Sequence, residues 1–221
     1  MRNLLAATLI LVVPYCQADE KPADPKPGAV QVQVDTSEAP DAEPWGAKAK
    51  ALVEKWQPII ADLLKSDGFT PPSEVKIVFK NDMKVPAYAS GNTITIAADW
   101  IKKHPDDYGM VVHELTHVVQ SYPRSKRNDG WLVEGIADYV RFFKYEPETK
   151  LGPIHADANY RQGYRTAARF LDWIEKTHDK DIVVKLNQAL RKSEYKDEMF
   201  KDVTGESLDE LWADFLKAQK K

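Results

Sequence analysis

The chain has 221 residues, 43% of them hydrophobic and 29% charged, with a formal net charge of −3 at pH 7 and one cysteine. That length supports a single domain with a sizeable core. The acidic balance argues against nucleic acid as a partner, and one cysteine excludes a disulfide framework.

The first 18 residues read as a secretory signal: a positive start at Arg2, an apolar run over 4–13, and Cys16-Gln17-Ala18 as a small-residue cleavage site. The run is too short to span a bilayer, so no stable membrane insertion is expected after cleavage. Cys16 lacks the small residues that precede a lipidated cysteine, and cleavage before Asp19 removes it. The mature chain then builds any metal site from nitrogen and oxygen ligands. Export without disulfides suits a secreted or periplasmic protein of a bacterial envelope.

Residues 19–28 form a Pro-rich linker, and the domain occupies 29–221. Strict alternation over 30–34 predicts an edge strand. Helical spacing over 45–64 predicts a helix that Pro58 kinks or splits. Strands follow at 75–79 and 93–97, the second approached through 85–89 and the turn Ser90-Gly91-Asn92. A short helix at 100–104 stops at Pro105. Residues 110–122 form a helix that is apolar almost all round, hence buried, and ends at Pro123. Further helices are expected over 132–143, 160–176, 181–192 and 207–219, the last opened by a Ser207/Glu210 capping box. Strands followed by helices give an α+β class with a small antiparallel sheet.

The chemistry sits on the buried helix. His113-Glu114-Leu115-Thr116-His117 places two imidazoles four residues apart, on one helical face. Glu134 supplies an oxygen ligand from the next helix, which completes a catalytic rather than a structural zinc set. Glu114 is placed to take a proton from water activated by the metal. Two histidines and a glutamate in an apolar helix are costly without a metal or partners. Asp138, one turn beyond Glu134, is the expected acceptor for the free ring N–H of His113. Tyr160 and Tyr164 are candidate donors to the oxyanion, with the loop residue His155 a third. Gly135 reads as a packing glycine, and Trp131 and Tyr139 as core or wall. The 87–91 segment offers an edge for an extended peptide or protein substrate, with a plain hairpin as the alternative.

Val112 to His117, with Glu134 and Asp138 as Glu-x-x-x-Asp, resembles the gluzincin metallopeptidases, the group that includes thermolysin. Several pieces resemble the basic secretory protein family of zinc peptidases more closely. They are Val-Pro-Ala-Tyr-Ala-Ser-Gly, Ala-Asp-Trp-Ile, His-Glu-Leu-Thr-His-Val-Val-Gln-Ser-Tyr, Gly-Trp-Leu-Val-Glu-Gly-Ile-Ala-Asp-Tyr, Tyr-Arg-Gln-Gly-Tyr-Arg-Thr-Ala-Ala-Arg-Phe-Leu-Asp-Trp and Leu-Asp-Glu-Leu-Trp-Ala-Asp. The resemblance implies a secreted, mostly helical, zincin-like domain with Zn2+ on His113, His117 and Glu134, and Glu114 as the base. The acidic charge departs from the family's name and tells against roles that rest on positive charge. A zinc-containing binding module and a non-peptide zinc hydrolase are the alternatives, and the intact Glu114 disfavours the first.

Overall fold

The computed structural model describes residues 30–123, 129–155 and 157–219. The expected signal peptide and the whole of the expected linker lie outside them. No helix among the described residues is long and apolar enough to cross a membrane.

Four strands, β1 (Gln31–Asp35), β2 (Glu74–Lys80), β3 (Ala87–Ser90) and β4 (Thr93–Ala97), form one sheet in the order β1-β2-β4-β3. Val32, Val75, Ile77, Phe79, Ile94 and Ile96 are buried. The register pairs Val32 with Val75, Ile77 with Ile94 and Phe79 with Ile96, so these side chains share one face. The α+β class holds, but the sheet is mixed and not antiparallel. β1 pairs β2, and β2 pairs β4, in parallel, while only β3 and β4 run antiparallel. The cause is the long helix α1 (Glu43–Leu63), which lies between β1 and β2 in sequence. A helical crossover returns the chain to the same end of the sheet, whereas a two-residue hairpin reverses it. Such a hairpin does join β3 to β4 at Gly91, whose φ of +58° suits a tight turn.

Pro58 does not split α1. Its ring removes the bond to the Glu54 carbonyl, but Pro58 and Glu54 are both exposed, so water can satisfy that carbonyl. The buried stripe of α1, including Trp45, Ala49, Val53 and Ile60, covers the apolar sheet face, with the Trp45 ring edge-on to Phe79 at 5.8 Å.

After α2 (Ala98–Lys103) comes α3 (Gly109–Gln120), buried at every residue except His117. It ends two residues earlier than expected, because Ser121 turns left-handed (φ 42°) ahead of Pro123. Helix α4 (Gly130–Tyr139) opens into a π-type turn over Val140–Tyr145, where Glu146 N–H reaches the Arg141 carbonyl at 2.9 Å. Helices α5 (Tyr164–Thr177), α6 (Ile182–Arg191), α7 (Glu198–Thr204) and α8 (Leu208–Ala218) complete the fold. The capping box of α8 is present, with Ser207 N–H donating to Glu210 at 2.8 Å. Gly135 is where α4 and α5 meet: a Cβ there would lie 2.6 Å from Ala167 Cβ.

Candidate metal centre

Because α3 buries nearly its whole circumference, its polar residues at 113, 114 and 117 are held inside the protein and face α4 and the β3 edge. His113 is 8% exposed and Glu114 7%. The Nε2 atoms of His113 and His117 lie 3.1 Å apart. Glu134 Oε2 stands 3.2 Å from the first and 3.4 Å from the second. Two ligand atoms around one tetrahedral zinc are separated by roughly 3.3 Å, given bonds of about 2.0–2.1 Å. The three side chains form the one group among the described residues that could hold a metal ion.

The far ring nitrogens are engaged elsewhere, which turns both Nε2 atoms toward the site. His113 Nδ1 lies 2.7 Å from Asp138 Oδ1, and an ionised carboxylate only accepts, so Nδ1 carries the proton. Asp138 is itself 5% exposed, one turn beyond Glu134 on α4. His117 Nδ1 lies 2.8 Å from Gln120 Oε1. The Gln120 amide donates from Nε2 to the Val133 carbonyl at 3.0 Å, which turns its oxygen toward His117. A proton on one Nε2 can bridge the 3.1 Å gap, and a cation bound there would take its place and be held by both rings. The donor set therefore fits a divalent metal with nitrogen and oxygen preference. Gln120 was not anticipated from the sequence, although a buried glutamine three residues after a candidate ligand on the same helix was a usable signal.

Charge follows from the same packing. Burial opposes ionisation of His113, but Asp138 and Glu134 outweigh it and raise its pKa to about 9. Burial likewise opposes ionisation of Glu134, yet the two histidines hold it down to about 2. Glu114 differs: burial dominates and raises its pKa, while the histidines and a hydrogen bond from the Ala89 N–H pull the other way.

These residues line a cleft of about 990 Å3 between β3, α3, α4 and the start of α5. Tyr164 is on its wall, 55% exposed, with its ring nearly parallel to that of His113 (11°) at 6.2 Å. The field of Glu134, then burial, raises its pKa. Tyr160 is elsewhere, which corrects the expectation that it could reach the oxyanion. It is 3% exposed among Trp131, Phe170 and Trp212, and its hydroxyl donates to Asp209 at 2.8 Å. The expected 160–176 helix is two pieces, a 3-10 turn Tyr160–Gln162 and α5, parted at Gly163. There φ is +71°, and the reversal sends the two tyrosines to different environments. His155 is exposed and lines a neighbouring cavity, not this cleft. Trp131 and Tyr139 are core residues at 5% and 2% exposure.

An α+β domain with two imidazoles and a carboxylate converging in a cleft beside a strand edge has the build of a hydrolase. The chain belongs to the family described as peptidase of plants and bacteria, whose model matches residues 42–215, from the start of α1 through most of α8. No curated protein gives a significant match.

Proposed function

We propose that this protein is an exported zinc-dependent peptidase that hydrolyses peptide bonds with a water molecule activated next to Glu114. The observation that carries the proposal is the convergence of His113 Nε2, His117 Nε2 and Glu134 Oε2 within 3.1–3.4 Å of one another, beside the raised-pKa carboxyl of Glu114. His113, His117 and Glu134 would hold the ion, and Asp138 and Gln120 keep both imidazoles in the ligating tautomer. Bound there, zinc supplies a Lewis acid that acidifies water and polarises a carbonyl.

Glu114 accepts the proton as the water oxygen attacks the amide carbon, then returns it to the amine as the C–N bond breaks. A carboxyl whose pKa is raised suits both roles, since it must release the proton it has taken. In this reading Tyr164, on the cleft wall, donates its hydroxyl to the developing oxyanion. Edge strand β3 holds the substrate. The 87/96 and 89/94 pairs alternate with the hydrogen-bonded rungs, as the 2.9 Å bond from Ala97 N–H to the Pro86 carbonyl fixes, so Ala87 and Ala89 turn their backbone groups toward the cleft. An extended peptide laid there gains main-chain hydrogen bonds on one side of α3.

The test is digestion of a mixed peptide library by the purified protein, with chelated and zinc-restored samples and the Glu114→Gln variant. Cleavage should need both zinc and Glu114, and the variant should lose roughly 10²–10⁴-fold in turnover while still binding metal. Full activity in Glu114→Gln would remove it as the base. Stoichiometric zinc without cleavage would favour a binding module or a non-peptide substrate.

A further inference from the structure

The cleft does not stop at the metal centre. A second cavity of about 690 Å3 shares Arg141, Phe142, Gln162, Arg165 and Thr166 with it, so the two make one groove along the α5 wall. In a chain of net charge −3, the second cavity is lined by Arg141, Lys150, Arg165 and Arg169 against two carboxylates, Glu146 and Asp157.

The arginines are not equivalent. Arg141 is neutralised: it bonds Asp107 at 2.7 Å and Glu146 at 2.6 Å. Arg161, outside the groove, pairs with Asp197. Arg169 is half-buried and bonded only to neutral oxygens, those of Gly152 and, at 2.8 Å, Gln219. Arg165 is exposed, and among the described residues no carboxylate pairs with it. Its guanidinium lies 5.0 Å from the centre of the Phe142 ring, whereas Arg141 sits 4.8 Å from the same ring. An aromatic face orients a guanidinium without neutralising it, leaving its fork of donors open. Four residues apart on α5, Arg165 and Arg169 share a face.

We propose that Arg165, supported by Arg169, is a binding subsite for a carboxylate of the substrate, either an acidic side chain or a free C-terminus. Resting on the peptidase reading, the subsite would make acidic groups at one fixed distance from the scissile bond preferred. Tyr164, the neighbouring residue, ties its position to the reaction centre. Attraction between exposed charges is modest and screened, so the preference should be roughly two- to fivefold and should fade at high salt.

Two assays with the zinc-loaded protein decide the matter. Peptides carrying Asp, Ala or Lys at successive positions, each with free and amidated C-termini, are compared by kcat/KM. One position, or the free C-terminus, should show an Asp or carboxylate preference. Arg165→Ala should abolish it, Arg165→Glu should reverse it toward Lys, and Arg165→Lys should keep part of it. The Asp-to-Ala ratio is the readout, so a general loss of activity does not mimic the result. Ratios unchanged by Arg165→Ala and Arg165→Glu at every position would overturn the proposal. The same peptides are then bound to Glu114→Gln and read by anisotropy. An Arg165-dependent acidic preference in binding, with no cleavage by the parent protein, would sink the peptidase reading and leave the subsite standing. Binding that ignores Arg165 would overturn the subsite even if cleavage proceeds.

Discussion

Along the cleft floor, formed by α3 and α4, polar groups arrive already partnered: His113 with Asp138 at 2.7 Å, His117 with Gln120 at 2.8 Å, Gln120 with the Val133 carbonyl at 3.0 Å. Along the α5 wall, Tyr164 stands 55% exposed and Arg165 has no carboxylate partner among the described residues. The floor is buried, and there an unmade hydrogen bond is expensive, so geometry is fixed before any ligand arrives. Water serves the wall groups until a substrate replaces it. A peptidase needs both conditions, because ligand geometry must be held while contact with varied peptides must adapt.

The contrast can be broken at graded cost. Glu134→Ala should have the largest effect, abolishing stoichiometric zinc as read by elemental analysis; undiminished zinc would remove it from the ligand set. Tyr164→Phe comes next, losing roughly 10²–10³-fold in kcat with little change in melting temperature, as expected of a donor to the oxyanion. Asp138→Ala should lower metal affinity or activity by about 10–100-fold. Gln120→Ala should cost less, since a neutral amide strengthens its histidine less than a carboxylate does. Equal losses at the two positions would erase the distinction between the two imidazoles. Gly135→Val, which overpacks the α4–α5 contact, should destabilise by about 1–3 kcal/mol in denaturant melts. Tyr160→Phe closes the series: about 1 kcal/mol of stability lost with the Asp209 bond, and turnover unchanged.

The floor was legible in the sequence because its chemistry dictates residue type and spacing together. His113 and His117 at i, i+4, and Glu134 and Asp138 at i, i+4, are patterns that helical geometry converts directly into faces. What failed to show depended on contacts remote in sequence or on single backbone angles. Tyr160 and Tyr164 both opened one predicted helix, and the positive φ angles of Gly163 and of Tyr164 itself send one into the core and the other into the cleft. Strand positions could be read from alternation, but their parallel pairing could not, since β1 and β2 meet only across α1. Helix α7 went unseen: seven residues with one fully buried side chain, Phe200, make a weak periodic signal, although Gly205 with φ +87° marks its end.

The pairings of the two histidines have a consequence for how the chain folds. Asp138 belongs to α4, and Gln120 reaches the α4 backbone at Val133, so each imidazole is tied, directly or through one amide, to the opposite helix. A metal held by His113, His117 and Glu134 would add a third tie across the same seam and act as a clasp. Its occupancy would then enter the unfolding equilibrium, adding about 2.7 kcal/mol when free ion stands a hundredfold above its dissociation constant. Starved of metal, the protein would lose activity and, by the same linkage, rigidity along α3 and α4. The chain most in need of zinc would also be the easiest to degrade.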